Sequence, residues 1–254
     1  MKKQLLTLLL LSLLPTLTLS AQEASTPEVE ATLARYTRIL NGFGNQPDPA
    51  FARLSHHYLK RMNTFAEESP ITSQDIVMLG NSLTEGGRDW GAKLPETHRR
   101  VVNRGIVGDT TSGILMRLSD ITARRPAQIF LLIGVNDLQV GREPAEIIKN
   151  IETIIARIKV ESPTTKLVVQ TLLPIDESTG EYKYLRGKSH LIPEINEGIA
   201  QLAEKYDVAL IDLYPHFLDP ATNALPKSIS RDGLHLTADG YKIWSKQLVP
   251  QLLK

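Results

Sequence analysis

Three residues at two distant places in the chain have the types and spacing of a nucleophile, its activating base and an acid that orients the base. Ser82 lies in the short segment Gly80-Asn81-Ser82-Leu83-Thr84, and His235 follows Asp232 by three residues near the other end of the chain. A serine hydroxyl is a weak nucleophile until a neighbouring base takes its proton. An acid beside a histidine can hold one ring nitrogen and so fix the tautomer of the imidazole. These residues are therefore suited to attack on a carbonyl group, as in acyl transfer.

Two further segments could stabilise the negative charge that such an attack creates. Gly108 lies in Asn103–Thr110, and Asn136 lies in Gly134–Asp137. The tetrahedral intermediate of acyl transfer carries an oxyanion, which needs hydrogen-bond donors. The backbone amides of Ser82 and Gly108 and the side-chain amide of Asn136 could supply three of them. Glycine suits this role because its missing Cβ lets the backbone approach the substrate closely.

The elements that must position these residues are predicted from hydrophobic periodicity. Five short apolar runs are typical of strands buried on both faces of a parallel sheet, and helical patterns lie between and around them. The runs cover residues 75–80, 100–103, 128–134, 166–173 and 208–213, and the helical patterns cover 27–40, 50–68, 111–119, 144–160, 190–205 and 237–253. This alternation predicts an α/β fold, a three-layer doubly wound sandwich with a five-stranded parallel sheet. Ligands in such sheets bind outside the carboxyl ends of the strands, where the motifs fall.

Taken together, the motifs resemble the SGNH (GDSL-type) hydrolase family, closest to its platelet-activating-factor-acetylhydrolase-like and carbohydrate O-acetylesterase branches. The resemblance covers about residues 70–254 and is carried by GNSLTEGG, NRGIVGDTT, GVND and DGLHLTADGY. It implies a flavodoxin-like SGNH fold, ester hydrolysis and no cofactor. The implied catalytic residues are Ser82, Asp232 and His235, and the implied oxyanion-hole donors are Ser82, Gly108 and Asn136.

The chain departs from the family pattern immediately before the nucleophile. The family usually has Asp there, whereas this chain has Asn81, which removes a charge beside Ser82. The change puts the pH profile and the rate in question more than the class of reaction. Asn81, Trp90 and Asp109 are candidate substrate-binding residues. Trp90 and the segment Tyr182–Tyr184 fit a substrate pocket or a packed core equally well.

Other interpretations of these motifs stay open at the level of sequence. Ser82 could be only a helix N-cap, and Asp232 could shape a turn rather than orient His235. Some members of the resembled family use a Ser–His pair helped by a backbone carbonyl. A dinucleotide-binding loop is disfavoured, because Gly105 and Gly108 form G-x-x-G rather than G-x-G-x-x-G. The nucleophile elbow of α/β-hydrolases is disfavoured because its second glycine is missing.

The start of the chain has the anatomy of a secretory signal peptide. Lys2 and Lys3 precede an apolar run over residues 5–19, and small and polar residues follow it. We expect residues 1–21 to be removed by cleavage between Ser20 and Ala24, which places the protein in the periplasm or outside the cell. An uncleaved N-terminal anchor is the alternative. Residues 22–69 are then a helical lead-in, and residues 70–254 form the hydrolase domain.

Composition narrows the remaining function classes. The 254 residues include no Cys and carry a net charge of +1, which argues against a nucleic-acid partner and against a thiolate metal site. None of the histidines has the spacing of a metal motif, so we predict no metal. The expected partner is a small-molecule or glycan ester, with no stable membrane insertion after signal cleavage and no prediction of oligomeric state. The family branch and the expected export imply a secreted serine esterase that hydrolyses short-chain esters, acetyl esters of carbohydrate above all. A lysophospholipase or thioesterase, and a non-catalytic carbohydrate-binding protein, are the alternative functions.

Overall fold

A parallel β-sheet forms the middle layer of the protein. The computed structural model describes residues 56–254. The strands are β1 (Ile76–Gly80), β2 (Val101–Gly105), β3 (Gln128–Leu132), β4 (Lys166–Gln170) and β5 (Ala209–Ile211). All neighbours pair in parallel, in the order β2-β1-β3-β4-β5. The predicted α/β class and five-stranded parallel sheet are therefore confirmed.

Helices cover both faces of the sheet. They are α1 (His56–Glu67), α2 (Ser82–Gly86), α3 (Thr111–Thr122), α4 (Val135–Gln139), α5 (Pro144–Glu161), α6 (Ile192–Lys205), α7 (Tyr214–Phe217) and α8 (Ala238–Leu248). The last helix is shorter than the pattern over 237–253 predicts, because Pro250 lies in a separate 3₁₀ turn over Val249–Gln251. The predicted helix over 27–40, the start of the one over 50–68 and the signal peptide lie outside the described residues.

Alternating side chains of the strands supply two separate cores. In β1, Val77 and Leu79 face the layer formed by α3, α5 and α6, whereas Ile76 and Met78 face the layer that holds α8. All four side chains are fully buried. This burial on both faces explains why the strand sequences are continuously apolar, without the alternation of apolar and polar residues that is typical of a half-exposed sheet. Among the described residues, no helix is both long and apolar enough to cross a bilayer.

The register of the central strands brings the motifs to one level. Gly80 at the end of β1 pairs with Gly105 at the end of β2 and with Leu132 at the end of β3. The aligned ends of β1, β2 and β3 are therefore followed, two to four residues later, by Ser82, Gly108 and Asn136. The strand that follows β1 in the chain, β2, pairs with one edge of β1, and the next strand, β3, pairs with its other edge. The boundary between β1 and β3 is therefore the topological switch point, where ligands bind in such folds.

Candidate active site

Ser82 is held at the end of β1 by the turn that starts α2. Asn81 is the N-cap of this short helix, and its Oδ1 accepts a hydrogen bond from the backbone N–H of Leu83 at 3.0 Å. The capped turn leaves the Ser82 hydroxyl at the carboxyl edge of the sheet, where 8% of the residue is exposed. The Nδ2 group of Asn81 is buried and finds no hydrogen-bond partner among residues 56–254. Asn81 therefore acts on the site through its capping oxygen.

His235 and Asp232 complete a hydrogen-bonded chain with the serine. The Nε2 atom of His235 lies 2.8 Å from Ser82 Oγ, and its Nδ1 lies 2.7 Å from Asp232 Oδ2. Burial alone would raise the pKa of Asp232, but hydrogen bonds from the His235 ring and the backbone N–H groups of His235 and Leu234 lower it to about 2. The carboxylate therefore stays ionised at neutral pH and fixes Nδ1 as the protonated ring nitrogen.

The loop that carries His235 is fastened by a second loop, over residues 171–191, between β4 and α6. The Asp176 backbone N–H donates to Gly233 O at 2.8 Å, and Thr179 Oγ1 donates to Asp232 O at 2.9 Å. The Tyr182 hydroxyl donates to Asp232 Oδ2 at 2.9 Å and lies 2.8 Å from His235 Nδ1. Burial, and then the bond to Asp232, raise the pKa of Tyr182 above its ordinary value, so the phenol remains a donor.

Tyr182 is a site residue that sequence reasoning noticed but did not assign. Nothing in its spacing indicates contact with a residue 50 positions later in the chain. The structure places it against the acid and the base of the site, where it completes the hydrogen bonding of the Asp232 carboxylate.

The other two candidate oxyanion donors follow β2 and β3, Gly108 in the loop after β2 and Asn136 in the first turn of α4. Gly108 has a φ of +79°, a left-handed conformation that favours glycine. One hydrogen of the Asn136 side-chain amide is used by Asp109 O, at 2.8 Å from Nδ2, and Gln139 donates to its Oδ1 at 3.1 Å. The second amide hydrogen of Asn136 remains available. The backbone N–H groups of Ser82 and Gly108 have no acceptor within the described part of the chain.

Trp90 does not line the site, which corrects its candidacy for substrate binding. It is fully buried and packs edge-on against Tyr241 and Trp244, with ring centroids 6.0 and 5.0 Å away. Its indole N–H donates to Thr84 O at 2.9 Å. An aromatic ring can pack in a core as well as line a sugar-binding surface. In this protein the ring packs in the apolar core between the sheet and α8.

The Asp109 side chain is also unavailable to a substrate. Its Oδ2 accepts from Arg117 Nε at 2.9 Å and lies 2.8 Å from Arg117 Nη2, and only 1% of each side chain is exposed. Arg117 Nη2 also donates to Gly80 O at 3.0 Å. Burial raises the pKa of Asp109 to about 6, against the opposing effect of the Arg117 guanidinium. The Asp109 side chain therefore binds the arginine that contacts the end of β1, while its backbone carbonyl accepts the hydrogen bond from Asn136.

Metal ligation has no candidate in the described part of the chain. Across residues 56–254, no group of three or more His, Asp or Glu side chains is arranged to hold a metal ion. His57, for example, contacts Glu85 at 2.9 Å as a single pair.

The fold and the site together define a class of protein, an α/β enzyme with the groups that acyl transfer needs. The chain belongs to the GDSL-like lipase/acylhydrolase family, which residues 78–243 match. It is therefore an ester-hydrolysing acylhydrolase, and the family resemblance seen in the motifs is confirmed.

Individual relatives agree with this assignment. The chain is 26% identical over 206 residues to platelet-activating factor acetylhydrolase IB subunit alpha2 of Gallus gallus, covering 78% of this chain and 85% of that one. It is 21% identical over 210 residues to an acetylxylan esterase of Geobacillus stearothermophilus, covering 71% and 94%. The crystal structure of a GDSL-like lipase from Bacteroides thetaiotaomicron shares the fold, with a TM-score of 0.66, 22% identity and coverage of 77% and 98%.

Proposed function

We propose that the protein is a serine esterase that removes short acyl groups, acetyl above all, from carbohydrate. The observation that carries the proposal is the chain of hydrogen bonds from Ser82 through His235 to Asp232, with heavy-atom distances of 2.8 and 2.7 Å. These distances suit proton transfer from the hydroxyl to the ring and a fixed orientation of that ring.

In this mechanism Ser82 Oγ attacks the ester carbonyl while His235 Nε2 takes its proton. The carbonyl oxygen becomes an oxyanion that accepts hydrogen bonds from the Ser82 and Gly108 amides and from the free N–H of Asn136. His235 then gives its proton to the departing alcohol as the carbon–oxygen bond breaks, leaving an acyl-serine. A water molecule that loses its proton to His235 hydrolyses this acyl-enzyme and restores Ser82.

The short acyl group and the sugar have separate support. A cavity of about 380 Å³ borders the base; it is lined by Arg231, Asp232, His235, Leu236, Thr237 and Ala238. Because Ser82 and the other oxyanion donors do not line this cavity, its volume sets no limit on the acyl chain. The short segments between the motifs leave little room for an acyl-binding insertion, which favours a compact ester. The relative from Geobacillus stearothermophilus is an acetylxylan esterase by name, which supports acetylated carbohydrate as the substrate class.

Asn136→Ala is expected to lower kcat for p-nitrophenyl acetate by about 10²–10³, with little change in KM, because the oxyanion loses a donor needed in the transition state. Steady-state kinetics of the purified variant measures both constants. Gln139→Ala is the control, since it removes only the contact with the Asn136 carbonyl oxygen and should stay within about threefold of the parent. A kcat for Asn136→Ala close to that of the parent would remove Asn136 from the oxyanion hole.

A panel of p-nitrophenyl acetate, butyrate and octanoate tests the acyl preference. We expect kcat/KM to fall steeply with chain length, because the short segments between the motifs leave little room for an insertion that would bind a long acyl chain. Acetylated xylan and other acetylated glycans follow as natural substrates, with acetate release as the readout. A rate that rises toward octanoate would instead support a lysophospholipase or thioesterase, and glycan binding without hydrolysis would support a carbohydrate-binding protein.

Export from the cytoplasm belongs to the same proposal. It is supported by the pair of lysines and the apolar run at the start of the chain, the pattern of a secretory signal peptide. Mass spectrometry of the protein recovered outside the cytoplasm should give a first residue consistent with cleavage between Ser20 and Ala24. Protein found only in the cytoplasm with its first residues intact would contradict export.

A further inference from the structure

The turn that carries Gly108 is tied to α1, a helix that precedes the residues matched by the family. The turn covers residues 105–108 and connects β2 to the Gly108 amide. Its first carbonyl, Gly105 O, accepts hydrogen bonds from Arg61 Nε and Nη2 at 3.3 and 3.2 Å. Arg61 lies on α1, so one end of the turn is fixed from outside the family's matched region.

Glu85 fixes the other end of the turn. Its Oε2 accepts from the backbone N–H of Val107 at 2.7 Å, one residue before Gly108. Its carboxylate is itself held by α1, since His57 Nε2 lies 2.9 Å from Oε1 and Arg61 Nε lies 3.5 Å from the same atom. Glu85 follows Ser82 by three residues on α2, so one carboxylate joins the nucleophile helix, the turn and α1.

The packing around the turn leaves little freedom for it to adjust. A Cβ on Gly105 would lie 2.2 Å from the backbone nitrogen of Glu85, so the turn and α2 are in direct backbone contact. On the same face of α1 as Arg61, the Phe65 ring contacts two guanidinium groups, with Arg61 Cζ at 4.6 Å and Arg104 Cζ at 4.4 Å from its centroid. Arg104 is buried and forms an ion pair with Glu68 at the end of α1.

We propose that Arg61 and His57 of α1 are positioning residues for the oxyanion hole, Arg61 by its direct contact with the turn and both residues through Glu85. They hold the 105–108 turn at Gly105 and Val107 and thereby set the direction of the Gly108 N–H. The inference rests on the proposed function, since it concerns the donor that faces the oxyanion. It also means that α1 orients a catalytic donor, in addition to covering the domain.

The test compares two neighbouring residues of α1, Arg61→Ala and Lys60→Ala. Both remove one positive charge, but Lys60 is exposed and its side chain does not touch the turn. Loss of an entire oxyanion donor costs about 10²–10³ in turnover, so a donor that is only loosened should cost about tenfold in kcat with KM unchanged. Arg61→Ala should show this loss and Lys60→Ala should not.

Methylboronic acid separates positioning from simple destabilisation. It forms a tetrahedral adduct with the serine that mimics the transition state, so its inhibition constant should rise about tenfold in Arg61→Ala, in parallel with kcat. Glu85→Ala should behave in the same way, and the double variant should be no worse than the poorer single one, because both act on one turn.

A lower melting temperature in Arg61→Ala with unchanged kcat and boronate affinity would overturn the proposal and leave α1 a purely structural role. Failure of the proposed function would look different, since the parent protein itself would then show no ester hydrolysis that depends on Ser82.

Discussion

Ser82→Ala is expected to lower kcat for p-nitrophenyl acetate by a factor of about 10⁴ or more, because the nucleophile is lost while the rest of the site remains. The alanine leaves the Asn81 cap of α2 in place, since that bond is made by the side chain of Asn81 and the backbone of Leu83. The circular dichroism spectrum and the melting temperature should therefore stay those of the parent. Release of p-nitrophenol at substrate saturation measures the effect.

A matched hydroxyl on the same helix provides the control for this variant. Thr84 lies two residues further along α2, and its buried Oγ1 has no hydrogen-bond partner in the described part of the chain. Thr84→Val should therefore keep most of the activity. His235→Ala should be about as inactive as Ser82→Ala, and the double variant no worse, because the two residues act as one unit. Substantial turnover in Ser82→Ala would exclude the serine mechanism.

Arg117→Met is expected to destabilise the fold by about 3–5 kcal/mol at neutral pH, because it leaves the buried Asp109 carboxylate without its partner. The loss should grow as the pH rises. The pKa of Asp109 is already above its ordinary value in the folded protein, and Arg117 is what limits that rise. Without the arginine, the unfolded chain releases a proton above about pH 4 that the folded chain retains, so stability falls with increasing pH. Urea unfolding at pH 5 and pH 8 measures both effects.

Two controls accompany the Arg117 variant. Adding Asp109→Asn to it removes the unpaired charge and should recover much of the lost stability, since the carboxylate causes the penalty. Lys242→Met breaks the exposed ion pair with Asp239 and should leave the unfolding midpoint unchanged. A small effect of Arg117→Met at both pH values would mean that the buried pair does not hold the end of β1 in place.

The architecture was predictable because burial on both faces of a parallel sheet leaves continuous apolar runs. Residues such as Val77 and Met78 show this in β1, where neighbouring side chains enter opposite cores. The oxyanion candidates were also predictable in position, since Gly108 and Asn136 follow strands whose ends are level in the register. In both cases the local sequence and the periodicity of the elements determine the outcome.

The contacts around the site were not predictable, because they join loops of irregular conformation across long stretches of chain. Tyr182 meets His235 53 positions away, and Glu85 meets Val107 22 positions away, with no periodic signal in between. Trp90 illustrates a second difficulty, since an aromatic ring is suited both to stacking on a sugar and to packing in a core. Asp109 presents the same difficulty, because the sequence does not show whether a polar residue beside a motif faces the substrate or forms a buried ion pair behind the site.

The aromatic cluster of Trp90, Tyr241 and Trp244, which packs α8 against the rest of the domain, gives the protein an intrinsic optical probe of its folding. Trp90 and Trp244 are the only two tryptophans of the chain, and both are fully buried with their rings 5.0 Å apart. Tryptophan fluorescence therefore comes from a single location, the contact between the sheet and α8, the helix that begins three residues after His235. Unfolding that separates this helix from the sheet should expose both rings, shift their emission to the red and displace His235, so one optical signal follows the packing that holds the base beside the nucleophile.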